Sequence, residues 1–182
     1  EDTFTEMMNG AARRIARAAL DSRVAPLFDY VPDDEPEDVT PLDWRTRLDE
    51  DCVIIVDTSD LRADPQRIVT LVVISQLWTA LQRRDHEREP RQGDPPLVNL
   101  HIEEAADVAT SGVFADILQK GRSYGAGVTL SLQYPDQLRR ADAATHEEAI
   151  NNIGTVVTGP VERDAGLAER LATAEMPPEA VA

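Results

Sequence analysis

Leu97-Val98-Asn99-Leu100-His101-Ile102-Glu103-Glu104-Ala105 is the stretch on which the reading of the fold turns. A short apolar run stops abruptly in two adjacent carboxylates. Pro95 and Pro96 stand before it, and a helix-like segment follows. A second run, Gly127-Val128-Thr129-Leu130-Ser131-Leu132-Gln133, also ends in a polar residue, Gln133. Two strands with polar C-terminal tips obey the rule that open α/β sheets meet their ligands beyond the carboxyl ends of the strands.

The pattern extends in both directions. Cys52-Val53-Ile54-Ile55-Val56-Asp57 is continuous and β-branched, as a strand covered on both faces should be, and it too ends in a carboxylate. Asp64 and Pro65 suit a helix start. From there to about Arg84, the residues Ile68, Leu71, Val72, Ile74, Leu77, Trp78 and Leu81 cover most of a helix circumference, which predicts a largely buried helix. Val113, Phe114, Ile117 and Leu118 predict an amphipathic helix that Gly125 can end in a left-handed conformation. Ala144 to Asn151 reads as a short helix, Thr155-Val156-Val157-Thr158 as a fourth strand, and Asp164 to Leu171 as a last helix. Alternating strands and helices predict an α/β fold with a parallel sheet and right-handed crossovers.

The lead-in differs from this core. Residues 5–21 read as a helix with Met8, Ala11, Ala12, Ile15 and Ala19 near one face and Arg13, Arg14 and Arg17 largely off it. Those arginines suit either solvent or phosphate. Residues 31–43 carry three prolines and the run Asp33-Asp34-Glu35-Pro36-Glu37-Asp38, which is loop or linker chemistry. The division expected is therefore a helical lead-in and acidic linker over 1–48, followed by one domain over 49–182.

Composition narrows the setting. The chain has 182 residues, a net charge of −16, and Lys120 as the one lysine among 18 basic residues. An acidic, lysine-poor surface stays soluble where salt screens charge heavily, so the composition points to a halophilic source. It argues against a broad nucleic-acid-binding surface, although in a halophile local arginine clusters matter more than the total. No apolar run approaches the roughly 20 residues that span a bilayer, and no signal peptide is visible. One cysteine, Cys52, is expected as a small buried hydrophobe in a cytoplasmic protein. The chain opens on Glu1 and stops at Ala182 without punctuation, which reads as a piece of a longer protein.

Adjacent acids at a strand end suit metal-assisted phosphoryl chemistry. One carboxylate helps to hold magnesium, and the next orients or deprotonates the attacking water. The same acids also suit a helix N-terminus, whose dipole favours negative charge whatever the function. The phosphate-gripping pattern GxxxxGK[ST] is missing. Lys120 stands in Gln119-Lys120-Gly121-Arg122, with no glycine one or six residues before it and no Ser or Thr after it.

The ordered set resembles a family. Leu97–Ala105 is similar to the Walker B strand of the HerA/FtsK group of RecA-like motor ATPases. Leu118-Gln119-Lys120-Gly121-Arg122-Ser123-Tyr124-Gly125-Ala126-Gly127, then the second strand and Gln133-Tyr134-Pro135-Asp136-Gln137-Leu138, resemble that group's next block. Asn151-Asn152-Ile153-Gly154-Thr155 and the strand after it extend the likeness, which covers roughly residues 50–175. HerA-like helicases, conjugation coupling proteins and type IV secretion motor ATPases are the members most similar, in an archaeal halophilic version.

The resemblance implies a partial RecA-like (P-loop NTPase) three-layer parallel sheet whose phosphate-loop strand is absent from this chain. It implies ATP and Mg2+ as cofactors and a homo-hexamer as the assembly. DNA or protein–DNA cargo, and membrane-associated secretion partners, are the implied partners. Glu104 matches the water-activating glutamate, Gln133 the polar sensor of the γ-phosphate, and Arg122 an arginine finger acting on a neighbouring subunit. Glu103 stands where the family has the magnesium-holding aspartate, and is longer by one methylene. Two functions follow as expectations: the C-terminal half of a hexameric ATP-driven motor, or a non-catalytic structural subunit with a degenerate ATPase fold. An unrelated α/β binding module is the third.

Overall fold

In a computed structural model, the described residues are 41–88, 95–109, 111–134 and 136–158, with positions 5, 8–10, 12, 13, 15, 16 and 20–25. The architecture is mixed α/β, a small two-stranded parallel sheet flanked by helices. In chain order the elements are α1 (Trp44–Arg47), α2 (Ala63–Glu87), β1 (Val98–Ile102), α3 (Gly112–Lys120), β2 (Ala126–Leu130), α4 (Asp136–Ala141) and α5 (Ala143–Asn152). Short 3-10 turns follow β1 at Ala105–Asp107 and α3 at Gly121–Tyr124. The chain divides into two compact units, one of residues 1–98 with 123–126 and the other of 99–122 with 127–182.

In the first unit, α1 starts on Asp43, whose carboxylate accepts from Arg45 N at 3.0 Å and from the Thr46 hydroxyl at 2.7 Å. Those bonds hold the Asp43 carboxyl below its usual range, the Thr46 hydroxyl contributing most. Helix α2 begins at Ala63 on Arg62, with no side-chain cap, so Pro65 falls at its third position and not its first. Its Thr70, Ser75 and Thr79 hydroxyls donate back to carbonyls one turn earlier, which quiets polar groups inside a long helix. Burial is narrower than the largely buried helix expected. Ile74, Leu77, Trp78 and Leu81 make one buried stripe at helical spacing, while Val72 is exposed. Arg84 reaches from the same helix to the carbonyls of Leu48 and Tyr124, at 3.3 and 3.1 Å. Tyr124 meets Trp78 edge to face, with centroids 5.0 Å apart. Burial pushes the Arg84 pKa down.

The second unit closes around Phe114 and Ile117 of α3, and around Leu138 and Ala149 of α4 and α5 with Ala109. Ser111 caps α3 by accepting from Phe114 N. Asp142 caps α5, accepting from Thr145 N at 2.9 Å. The buried Thr145 hydroxyl has one proton, and both the Ala109 carbonyl, at 2.8 Å, and the Asp142 carboxylate lie within its reach.

Two expected strands are not strands. Residues 52–57 and 155–158 run without sheet pairing, and Val53, Ile55 and Val157 are almost fully exposed. Cys52 is exposed as well, and its thiol points to the Arg47 carbonyl at 3.6 Å. Aliphatic composition alone does not make a strand, because the backbone needs an edge to pair with. β1 is also not covered on both faces. Asn99 and His101 face solvent, while Leu100 and Ile102 turn inward. The described positions from 5 to 16 are helical, as their spacing predicts. Most of the acidic linker and the helix expected over 164–171 lie outside the described residues.

Candidate functional site at the carboxyl end of the sheet

β1 and β2 run side by side in parallel, so their C-terminal ends share one edge. The ladder starts with Val98 N donating to Gly125 O at 2.9 Å and continues to Ser131 N donating to Ile102 O at 2.9 Å. A regular parallel ladder would next bring the N–H of residue 104 to the Ser131 carbonyl. Instead Ala105 N makes that bond, at 3.1 Å. One extra residue is therefore accommodated at the end of β1, a bulge of the kind that re-aims side chains beside functional sites.

Glu104 absorbs the bulge. Its φ of 51° and ψ of 48° lie in the left-handed region, and it is the one non-glycine residue with positive φ among those described. That conformation costs a non-glycine residue about 1–2 kcal/mol. Without the bulge, Glu104 would alternate onto the buried face of Ile102. With it, the carboxylate is in solvent, where Oε1 accepts from Gln133 Nε2 at 2.8 Å. The two residues singled out on separate strands are thus in direct contact.

Gln133 is itself held in place. Gln137, at the start of α4, accepts through Oε1 from the backbone N–H of Gln133 at 2.9 Å and of Tyr134 at 3.2 Å. Gln137 was visible only as part of the Pro135-Asp136-Gln137-Leu138 motif. Its spacing, four residues beyond Gln133, was the available signal for a turn-closing side chain.

The other candidates are placed differently. Glu103 is exposed at the turn after β1 and has no hydrogen bond or ion pair among the described residues. Arg122 is exposed in the 3-10 turn that precedes β2, whereas Gln133 follows β2. A five-residue strand therefore separates Arg122 from the acid end, roughly 16 Å at the usual rise. Asp57 belongs to the other unit. Its carboxylate accepts from Ser59 N at 2.9 Å, and that bond is the main reason its pKa is lowered.

Glu103 and Glu104, adjacent in the chain and both exposed, carry the hard oxygens that magnesium takes, usually while keeping several waters. No group of three or more His, Cys, Asp or Glu gathers into a complete cage among the described residues. Glu103 and Glu104 are the carboxylates a magnesium ion would meet there, and Glu104 Oε1 already accepts from Gln133 Nε2. No helix among the described residues is long and apolar enough to cross a membrane. Compared with protein-family models, curated proteins and solved structures, the chain matches none.

Proposed function

We propose that this chain is the C-terminal half of a hexameric ATP-driven motor, a DNA translocase or a conjugation or type IV secretion-like machine with a RecA-like sheet. The observation that carries this reading is the Gln133–Glu104 hydrogen bond at the carboxyl end of a parallel strand pair. A general base and a polar sensor must sit within reach of one attacking water, and these two are already within 2.8 Å of each other.

The roles follow from the chemistry of each group. Magnesium-bound ATP, when present, supplies the electrophilic phosphorus. Glu103 would hold the metal, directly or through its water shell. Glu104 would orient the attacking water and take its proton, and Gln133 would hold the Glu104 carboxylate until nucleotide draws the carboxamide away. Arg122, on the far side of β2, suits a neighbouring subunit's nucleotide better than its own. Guanidinium stays charged and can grip two phosphate oxygens. DNA or protein–DNA cargo remains part of the proposal, as does operation in the cytoplasm beside membrane-associated partners.

One second reading has an observation in its favour. The chain carries no GxxxxGK[ST]. A non-catalytic subunit with a degenerate ATPase fold accounts for that. Glu104→Gln in the natural full-length protein separates them. Nucleotide binding should persist while turnover falls by about 10²–10⁴-fold, the usual worth of a positioned general base. Unchanged turnover, or none in the wild type, rejects the motor reading.

A further inference from the structure

Residues 52–56 form an open apolar ribbon. Val53 and Ile55 are 88% and 84% exposed, and no backbone hydrogen bond among the described residues involves positions 51–57. Water can satisfy the unpaired N–H and C=O groups, but it cannot satisfy four consecutive aliphatic side chains. Both ends of the ribbon are acidic, with Asp51 before it and Asp57 and Asp60 after it, while Glu50 is paired with Arg47 at 2.7 Å.

We propose that residues 52–57 are a docking edge for an extended aliphatic segment of a partner protein with basic residues at both of its ends. Binding is by strand addition: main-chain hydrogen bonds supply register, and alternate side chains lie beside Val53 and Ile55. The charge pattern selects the occupant. Pairing with a second copy, parallel or antiparallel, sets acidic end against acidic end on a chain of net charge −16. Like charges across a strand pair are unfavourable. Nucleic acid is repelled by the same acids and offers no strand backbone. The inference rests on the ribbon alone and stands or falls apart from the nucleotide reading.

Fluorescence anisotropy on the full chain tests it, with a short labelled peptide of alternating valine and threonine between arginine pairs. Saturable binding is expected, weakening as salt rises. The same peptide with glutamate pairs should bind at least about tenfold more weakly, because like charges set together suppress the wrong partner. Ile55→Pro removes an N–H from an exposed, unpaired position and should abolish binding while leaving the circular dichroism unchanged. The double variant Asp51→Arg with Asp57→Arg should reverse the preference between the peptides. Equal binding of the two peptides, or binding of neither, overturns the proposal. So does self-association of the chain that Ile55→Pro removes, which would make a second copy the occupant.

Discussion

Residues 98–102 and 52–57 both lead from aliphatic side chains into a carboxylate, the first alternating with Asn99 and His101 and the second continuous, and they are unlike as structure. β1 pairs with β2, turns Leu100 and Ile102 inward, and delivers Glu104 to Gln133. Residues 52–57 pair with nothing among the described residues and leave their side chains in solvent. The difference is an available edge. A β-branched run lowers the cost of an extended backbone, but ladder hydrogen bonds and packing against a neighbour are what stabilise it. β1 has β2 through the crossover helix α3, whose Phe114 and Ile117 are buried.

The largest expected effect tests this contrast directly. Ile102 is 6% exposed, so Ile102→Ala should cost about 2–5 kcal/mol in chemical denaturation, the range for emptying a packed aliphatic site. Ile55→Ala should stay within about 0.5 kcal/mol, as surface changes usually do. If the two variants lose similar stability, residues 52–57 are packed in the folded protein and the contrast fails.

A smaller effect compares two glycines around the start of β2. Gly125 has φ +71°, and an added Cβ would lie 3.0 Å from Pro95 Cγ and 3.3 Å from the Pro96 carbonyl. Gly125→Ala should therefore cost about 1–3 kcal/mol, since a left-handed residue other than glycine is strained and its neighbours are rigid. Gly127 meets only the Asn99 side chain, at 2.6 Å. Asn99 is exposed and can swing aside, so Gly127→Ala should remain within about 1 kcal/mol of neutral, helped by the reduced freedom of the unfolded chain. Thermal melts of the two variants check the order. The reverse order would mean that the Asn99 contact, and not the left-handed turn, sets where β2 begins.

The smallest effect is a pH dependence confined to the second unit. The Thr145 hydroxyl, and then the Thr145 backbone N–H, hold the Asp142 carboxyl below its ordinary 3.8. The folded pKa is thus lower than the unfolded one. The stability from this cap is complete above the ordinary carboxylate range and is lost as pH falls through the lowered value. Asp142→Asn should melt below the wild type at neutral pH, and the gap should narrow in acid. A gap that widens on acidification would show that the cap does not draw on the ionised carboxylate.

Much of the candidate site was legible along the chain, because its parts are local. A short apolar run ending in Glu103-Glu104, an amphipathic helix around Phe114, a glycine able to take positive φ and a second strand ending before Gln133 each leave a short-range mark. Gln137 was written in the sequence too, but its role depends on a turn that only the folded chain displays. The bulge at Glu104 left no mark, since the residue there is not the glycine that a left-handed position prefers. Its reason is tertiary: the Ser131 carbonyl takes Ala105 N, and the Glu104 carboxylate meets Gln133. The failure of residues 52–57 and 155–158 to become strands has the same origin. Periodicity and composition determine which segments are ready to be strands or helices. Whether a ready segment pairs, and which way its last side chain points, is decided by the distant backbone that comes to lie beside it.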